Sequence, residues 1–348
     1  MRRILFLLVA ALIVFCLPLY AGGTKEEVKA STAEGEPQYG GTLTAMLGAA
    51  SSDPGSPDIA DGMFWAPSRW LSPVQERPVR GDFEKYGPRG TNEYSFDASA
   101  FQPDAYKTGH LLESWEVGPK QVVWNVRKGV YWAGNRPNVM KSRELTAQDV
   151  VEDLIYFSQA PGGKNFKKMF GKIYTTGKYS LVIEYPVYDV NLMYFVGYED
   201  RALIEPPETR AAGASDWNNQ VGTGPFMLKE YFVGSHMEYE KNPNYWKTTT
   251  INGKEYKLPF FDKLVYPIIP DPTIQTAALR TAKLDFDQTV PALYWQNLKE
   301  TAPDLKTHII IGTSGQMVQL QTQQPPLDNL NVRRALMISM GDVPKAAD

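Results

Sequence analysis

Few side chains in this sequence have the type and spacing that metal binding requires. The three histidines, His110, His236 and His308, are far apart, and none belongs to an HExxH or a His-x3-His pattern. We expect them to be satisfied within the fold, with a three-histidine site assembled by folding as the alternative. The one cysteine, Cys16, excludes a disulfide scaffold, an iron–sulfur cluster and a cysteine-based zinc module. The sequence predicts neither a metal nor a cofactor.

Nucleophile and phosphate-binding patterns are incomplete as well. Ser314 follows a strand-like run, as the serine of a nucleophile elbow would, but Gly315 comes one residue early for the GxSxG spacing, so a turn is favoured. Residues 222–225 (Gly-Thr-Gly-Pro) lack the Gly-Lys-Ser/Thr ending of a phosphate loop. Carboxylate pairs are always available among 39 acidic residues, so their presence does not indicate a glycosidase. We therefore expect a protein that is not an enzyme.

The first residues predict export from the cytoplasm. Arg2 and Arg3 precede the uncharged apolar run 4–20, and small residues follow it, which is the pattern of a secretory signal. Cleavage after Ala21 would also remove Cys16 and leave no thiol. An uncleaved membrane anchor and a lipid attached at Cys16 are the alternatives, and the run of 17 residues is at the short edge of a spanning helix. The predicted location is the periplasm or the cell surface.

Length and charge narrow the class of protein further. The chain has 348 residues, enough for two domains of about 150 residues each. Its 36 basic residues stand against 39 acidic ones, and this mild acidity disfavours nucleic acid as a partner. The apolar share of 43% with 22% charged residues is ordinary for a globular protein, which excludes disorder over the whole chain.

Helix and strand signals are mixed along the chain, which predicts a mixed α/β (α+β) fold. Residues 121–132 alternate apolar Val122 and Trp124 with the opposite face, as a half-buried strand does. Thr146 and Asp149 have the spacing of a capping box at a helix start. The remaining predicted elements are strands at 179–187 and 308–311, a hairpin of 226–231 with 236–240, and helices at 271–283, 291–300 and 331–340.

Two segments have little periodicity. Residues 22–38 are small and charged and are expected to form a flexible tether. Residues 51–106 are rich in proline, glycine and aromatic residues, which is typical of a functional loop region. Trp65 and Trp70 lie there, and each is either a stacking platform for a ligand or part of the core.

We expect a different location for the tryptophans in strand-like segments. Trp115, Trp124 and Trp132 occur where regular structure is predicted, and an apolar side chain of this size on a strand belongs to the core more often than to a binding surface. We therefore expect these three side chains to be buried.

Five blocks, in order along residues 39–336, together resemble the family 5 extracellular solute-binding proteins, the receptors of oligopeptide, dipeptide and nickel ABC importers. The most specific block pairs residues 222–226 (Gly-Thr-Gly-Pro-Phe) with 240–246 (Glu-Lys-Asn-Pro-Asn-Tyr-Trp), and Gly222 and Gly224 suit a tight turn into the hairpin. The other blocks are 39–43 (Tyr-Gly-Gly-Thr-Leu), 111–115 (Leu-Leu-Glu-Ser-Trp) with 123–130 (Val-Trp-Asn-Val-Arg-Lys-Gly-Val), 145–151 (Leu-Thr-Ala-Gln-Asp-Val-Val), and 325–328 (Pro-Pro-Leu-Asp) with 331–336 (Asn-Val-Arg-Arg-Ala-Leu).

The resemblance implies a periplasmic-binding-protein-like type II fold, in which two lobes enclose the ligand and one lobe carries an extra inserted subdomain. Members of the family are considerably longer than this chain, so the second lobe is expected to be mostly missing. The implied divisions are a signal peptide (1–21), the tether (22–38), a lobe I sheet domain (39–75 and 216–305), an inserted subdomain (76–215) and the start of lobe II (306–348).

The resemblance also implies which residues line the cleft. The contacts would come from the loop after the first strand, the turn before the helix at 291 and the crossover strand. The amide-rich crossover strand suits neutral polar ligands, or alternatively it is a solvated edge strand. With Trp65 as an aromatic candidate, the set is Ala49, Ala50, Ser51, Ser52, Trp65, Gln288, Thr289, Gln316, Met317 and Gln319, with Gly315 beside Gln316.

The function implied by the resemblance is that of an extracytoplasmic receptor. It would capture a peptide or an oligosaccharide between two lobes that close about a hinge, and the monomer would deliver the ligand to ABC permease subunits in the membrane. Peptide is the default ligand of the family and oligosaccharide the second choice. A secreted hydrolase and a membrane-tethered peptide-binding sensor or chaperone on the same scaffold are the alternatives.

Overall fold

The computed structural model describes seven stretches of the chain, and their residues pack into two large hydrophobic cores and one small third cluster. Each large core is built on one sheet. The described stretches are residues 36–48, 53–61, 65–96, 102–136, 139–164, 166–309 and 318–339.

The secondary structure of these stretches is mixed, as the sequence predicts. The α-helices are α1 (Trp65–Leu71), α2 (Ala147–Gln159), α3 (Pro207–Ala212), α4 (Pro272–Arg280), α5 (Trp295–Thr301) and α6 (Leu330–Ser339). The strands are β1 (Thr42–Met46), β2 (Val79–Gly81), β3 (Lys107–Gly109), β4 (Leu112–Val117), β5 (Gln121–Val126), β6 (Asn135–Arg136), β7 (Met140–Lys141), β8 (Ile173–Gly177), β9 (Ser180–Glu184), β10 (Phe226–Phe232), β11 (His236–Lys241), β12 (Thr248–Ile251), β13 (Lys254–Lys257), β14 (Lys263–Pro267) and β15 (Phe286–Asp287).

The first large sheet has the strand order β10-β11-β14-β1-β15. Strand β1 runs parallel to both of its neighbours, with Thr42 beside Lys263 and Met46 beside Asp287. Strands β10 and β11 form the hairpin that the sequence predicts. Side chains from α1, α4 and α5 complete the core of this sheet, so it joins α1 to two helices about 200 positions later in the sequence.

The second large sheet is antiparallel, in the order β4-β5-β9-β8, and α2 packs against it. Val122 and Trp124 are fully buried, which confirms the predicted face of β5. The strand ends at Val126, however, and Trp132 reaches the same core from irregular backbone, so the prediction of one strand through 132 was wrong. Trp115 lies half-buried against this core.

The start of α2 confirms the predicted capping box. The carboxylate of Asp149 accepts a hydrogen bond from the backbone N–H of Thr146 at 2.8 Å, which satisfies a donor that the helix itself leaves without a partner. The guanidinium of Arg143 then bridges Asp149 and Glu208, each at 2.7 Å, and so ties α2 to α3.

Helix α4 is shorter than the sequence predicts. It ends at Arg280 because Ala282 adopts the left-handed conformation with φ 53° and the N–H of Lys283 bonds back to the carbonyl of Ala278 at 2.9 Å. Asp271 caps its other end as expected, accepting from the N–H of Thr273 at 2.7 Å.

Other boundaries also differ from the sequence prediction. The helix predicted from residue 291 starts as a 3-10 turn at Ala292–Tyr294 and becomes α5 only at Trp295. Residues 308–309 form no strand, and 310–311 lie outside the described residues. The predicted strand at 179–187 is limited to β9.

The region predicted to be an irregular functional loop contributes to the fold instead. It contains α1 and β2, and Trp70 of α1 is only 1% exposed in the core of the first sheet. The hydroxyl of Tyr239 donates to the carbonyl of Trp70 at 2.7 Å, which fixes α1 against β11. Trp70 is therefore a core residue and not a stacking platform.

The glycines of residues 222–225 have a role that differs from the predicted tight turn. Neither Gly222 nor Gly224 has a positive φ. A Cβ on Gly222 would instead collide with the carbonyl oxygen of Val74, because the two backbones touch there and Gly224 donates to that same oxygen at 2.8 Å. These glycines permit a close backbone approach that joins the segment after α1 to the start of β10.

Helices of membrane-spanning length and hydropathy are absent from the stretches that the structure describes.

Candidate functional site

The carboxyl ends of β1 and β15 meet at one edge of the first sheet, because the two strands are parallel neighbours. The chain continues from β1 to Gly48 and from β15 to Gln288. The N–H of Gln288 donates to the carbonyl of Met46 at 3.0 Å, and the side-chain oxygen of Gln288 accepts from the N–H of Gly48, also at 3.0 Å. Clefts outside the carboxyl ends of parallel strands are the usual ligand sites of open α/β sheets. We call this region the carboxyl edge.

Thr289 and Asp287 complete the contact between the two chain segments. A Cβ built on Gly48 would lie 2.5 Å from the hydroxyl oxygen of Thr289, so any larger residue there would displace the Thr289 side chain. The carboxylate of Asp287 accepts from the N–H of Thr289 at 3.0 Å, and burial raises the pKa of Asp287. Asp287 makes no ion pair with any residue that the structure describes, so its charge remains uncompensated at the edge.

The turn of the β10–β11 hairpin lies at the same edge, since His236 pairs with Pro267 at the carboxyl end of β14. Asp53 accepts from the hydroxyl of Tyr231 at 2.6 Å and from the N–H of Gly234 at 2.8 Å. These two hydrogen bonds lower the pKa of the Asp53 carboxyl. Both flanks of the loop after β1, Gly48 and Asp53, are therefore bonded to elements of the carboxyl edge.

The predicted site residues fall into two groups. Gln288 and Thr289 are exposed and lie beside Gly48, so the structure brings them to the end of the first strand as the resemblance implies. Gln319 is exposed in a stretch that contributes no residue to either large core. Positions outside the described residues are Ala49, Ala50, Ser51, Ser52, Gly315, Gln316 and Met317; the backbone of Trp65 begins α1, and its side chain is likewise outside what the structure describes.

Sequence reasoning missed three residues at or near this edge. Asp53 and Tyr231 meet across 178 positions of sequence, which no local pattern indicates. Trp295 is 42% exposed on α5, and its indole N–H donates to the carbonyl of Val290 at 2.8 Å, just after the Gln288 turn. The only feature of the sequence that could have pointed to Trp295 is its position in the first turn of a helix that follows a proline.

The carboxyl edge offers several polar groups and one aromatic ring to a ligand. It offers a half-buried carboxylate in Asp287, an amide in Gln288, a hydroxyl in Thr289 and an aromatic ring in Trp295. A carboxylate without a cationic partner is a natural acceptor for an ammonium group, while amides and hydroxyls both donate and accept.

A different pair of acids is buried between α2 and the segment before α3. Asp153 accepts from Arg210 at 3.0 Å, and the carboxylate of Glu205 lies 3.5 Å from the same guanidinium. Burial raises the pKa of Asp153 to about 7 and that of Glu205 to about 8, against the attraction of the single arginine. The hydroxyl of Tyr156 donates to Asp58 at 2.8 Å beside them. Asp153 and Glu205 are thus enclosed by the fold, which favours their protonated forms.

This buried pair predicts that the protein loses stability as pH rises. Folded Asp153 and Glu205 retain protons that the unfolded chain releases above about pH 4, so the unfolding free energy should fall between pH 5 and pH 8 by roughly 2–4 kcal/mol for each of the two groups. Urea denaturation at pH 5, 6.5 and 8 measures this. The double substitution Asp153→Asn with Glu205→Gln should flatten the profile, while the exposed control Glu113→Gln should not. Stability that rises over this interval would contradict the prediction.

A surface group on the hairpin has the donor types of a metal site. Glu230, His236 and Glu238 bring one ligand atom each to within 4.8 Å of one another. The carboxylate of Glu238 is already bound by Lys229 at 2.8 Å and Lys263 at 3.1 Å. Two ammonium groups on one ligand would repel a cation, so the group is better explained as a surface ion-pair network.

Comparisons with known proteins agree with this architecture. The model of the bacterial extracellular solute-binding proteins, family 5 Middle, matches residues 108–340. The dipeptide-binding protein of Escherichia coli K12 is 27% identical over 252 residues, which cover 65% of this chain and 44% of that protein. The periplasmic oligopeptide-binding protein OppA of the same organism is 24% identical over 267 residues, covering 68% and 45%. The chain spans somewhat less than half the length of these relatives.

Solved structures show the same fold. A periplasmic binding protein, MoaA from A. tumefaciens R10 in complex with mannopinic acid, superposes with a TM-score of 0.67 at 18% identity, covering 86% of this chain and 55% of that one. A dipeptide-binding protein from Pseudoalteromonas sp. SM9913 in complex with Met-Leu gives 0.64 at 20% identity, covering 85% and 56%. The mixed α/β, type II periplasmic-binding-protein fold is thereby confirmed.

Proposed function

Because this chain belongs to family 5 of the bacterial extracellular solute-binding proteins, we propose that it is the receptor part that captures a peptide outside the cytoplasm for an ABC-type importer. The relatives named above are dipeptide- and oligopeptide-binding proteins, which supports a peptide as the ligand class. Capture needs only that the ligand binds the closed conformation more tightly than the open one, and no bond is made or broken. We accordingly propose that the protein is not an enzyme.

The observation that carries this proposal is the contact between Gly48 and Gln288 at the carboxyl edge. It holds the loop after β1 and the turn before α5 at one place, and Asp287 lies there without a cationic partner among the described residues. A peptide amino group would compensate that carboxylate. An oligosaccharide offers no cation, so the edge favours peptide over the sugar alternative.

The remaining features of the proposed receptor follow from the sequence. The segment 1–21 would direct export to the periplasm or the cell surface, by a signal that is cleaved, retained or lipidated. The protein would act as a monomer and contact ABC permease subunits. Ala49, Ala50, Ser51, Ser52, Trp65, Gln316, Met317 and Gln319 are proposed as further ligand contacts with Gln288 and Thr289.

We also propose the division of the chain into a lobe I sheet domain and an inserted subdomain. The core of the first sheet draws on residues 45–74 and 203–298 and the core of the second on residues 79–221, so the two cores share only the stretch 203–221. The glycine contact at Gly222 joins the two close to the proposed boundaries at 75–76 and 215–216. The two cores and the Gly222 contact support this division whichever ligand the protein binds.

A thermal-shift screen of the full-length gene product with peptide and oligosaccharide sets tests the proposed function. We expect stabilisation by peptides, since a ligand that binds only the folded state raises the melting temperature. The substitution Gln288→Ala should weaken peptide binding about tenfold, because it removes the anchor of Gly48 and a candidate ligand contact.

The matched control is Gln296→Ala, which removes an exposed glutamine bonded only to Glu300 on α5 and should leave peptide binding unchanged. No shift with either ligand set would contradict the receptor function. Equal peptide binding by the Gln288→Ala and Gln296→Ala variants would contradict the location of the site.

A further inference from the structure

A cavity of about 290 Å³ lies away from the carboxyl edge. It opens between β2, β3 and the residues that follow β11. Strand β11 ends beside Lys263, and Lys263 also pairs with Thr42 at the amino end of β1. Trp246 and Lys247, which follow β11, therefore lie at the opposite edge of the sheet from Gly48, which follows the carboxyl end of β1. The cavity is therefore separate from the proposed peptide site. We call it the basic pocket.

One side of the basic pocket is fixed by a buried carboxylate. Glu76 accepts from the imidazole of His110 at 2.6 Å and from the indole N–H of Trp246 at 3.0 Å. Arg127 lies over the Trp246 ring, 5.0 Å from its centroid, and donates to the carbonyl of His110 at 2.8 Å. These contacts hold the guanidinium in place without an ion-pair partner in the described part of the chain.

Positive charge exceeds negative charge around the pocket. Arg80, Arg127 and Lys247 line it together with Asp82 and Glu84. Glu84 is shared, since Arg80 approaches it at 3.1 Å and the nearby Arg89 at 3.4 Å. Asp82 accepts from the N–H of Lys85. The lining thus carries three basic and two acidic side chains, and of the basic ones Arg127 and Lys247 make no ion pair with any residue that the structure describes.

Lys247 is partly buried beside Arg80. Its ammonium makes no hydrogen bond or ion pair with any residue that the structure describes. Burial and the charge of Arg80 lower the pKa of Lys247 to about 8. Two buried nitrogen atoms nearby, Nε of Arg80 and Nδ1 of His110, also have no hydrogen-bond partner among the described residues. A bound anion would relieve the repulsion between Lys247 and Arg80.

We propose that the basic pocket binds a small inorganic oxyanion of the phosphate type. Arg80, Arg127 and Lys247 would surround it. Nε and Nη2 of Arg127 already donate to the carbonyls of His110 and Leu112, which orients the guanidinium and leaves its remaining N–H groups for the anion. A volume of about 290 Å³ holds such an ion with several waters. The site does not depend on the peptide-binding function, because it uses none of the residues of the carboxyl edge.

Titration of the full-length protein with inorganic phosphate at low ionic strength, followed by calorimetry, tests this site. We expect saturable binding of one phosphate per chain, and Lys247→Gln should weaken it about tenfold by removing one of three cations. The matched control Lys254→Gln removes an exposed lysine paired with Glu36 and should leave phosphate binding unchanged.

A second measurement separates binding from folding. The pKa of Lys247, followed by NMR of methyl-labelled lysines, should rise when phosphate is added, since an anion favours the charged ammonium. The variant Lys247→Gln should keep its melting temperature without phosphate and lose the phosphate-induced increase. Absence of saturable binding, equal binding by Lys247→Gln, or a Lys247 pKa that does not respond to phosphate would each overturn the proposal.

Discussion

The substitution Glu76→Gln is expected to lower the unfolding free energy by about 3–5 kcal/mol, because it leaves buried donors without the carboxylate oxygen that now accepts from them. Glu76 is almost completely buried and accepts hydrogen bonds from four side chains. The four donors are His110 at 2.6 Å, Thr223 at 2.8 Å, Tyr245 at 2.8 Å and Trp246 at 3.0 Å. Glutamine keeps the size, but its amide nitrogen faces donors and cannot accept from them.

The Glu76 network joins both halves of the chain, which is why a large effect is expected. Thr223 belongs to the close glycine contact, and Tyr245 follows the β10–β11 hairpin. Urea denaturation at pH 7 measures the loss. The control Glu113→Gln changes an exposed acid of β4 and should cost less than about 0.5 kcal/mol. A loss below about 1 kcal/mol for Glu76→Gln would contradict the role assigned to this carboxylate.

The substitution Trp124→Ala should cost about 3–5 kcal/mol of stability. Trp124 of β5 is fully buried at the centre of the second sheet. It pairs with Trp115 on β4 and with Leu181 on β9. Its indole N–H contacts the sulfur of Met193 at 3.3 Å. Alanine would leave a cavity that strands held by hydrogen bonds on both sides cannot close.

The matched control is Trp295→Ala, which removes the same side chain from an exposed position on α5. It gives up one hydrogen bond, to the carbonyl of Val290, and should cost about 1 kcal/mol. Circular dichroism during urea denaturation follows both variants. If Trp124→Ala cost no more than Trp295→Ala, the second sheet would not have the core described here.

Features that depend on near neighbours in sequence were predictable. The alternation around Trp124 predicted the buried face of β5, and the pair Thr146 and Asp149 predicted the start of α2, since both signals lie within a few residues. The end of α4 was missed because an alanine, and not the usual glycine, takes the left-handed position at Ala282.

Features that depend on distant partners were not predictable from local patterns. Glu76 meets Tyr245 across 169 positions, and nothing near either residue signals the contact. The buried acids Asp153 and Glu205 likewise depend on packing between α2 and a later segment. The sequence predicted that Gly222 serves a tight turn. What requires glycine there is the close backbone of Val74, which is far away in sequence.

The candidate site is an intermediate case. Gly48 and Gln288 are 240 positions apart, and residue chemistry alone did not bring them together. The family resemblance did, because it assigned the loop after the first strand and the turn before α5 to the same cleft. The structure joins the flanks of these two segments, whereas the contribution of Ala49, Ser51 and their neighbours to binding stays a prediction.

Isothermal titration calorimetry of the full-length protein with defined dipeptides and oligopeptides tests the central claim most directly. We predict one peptide bound per chain with a dissociation constant on the order of 1 μM, and mass spectrometry of the mixture should recover the peptide intact. Absence of binding to any peptide, binding of oligosaccharides alone, or recovery of cleaved peptide would contradict a peptide receptor that performs no chemistry.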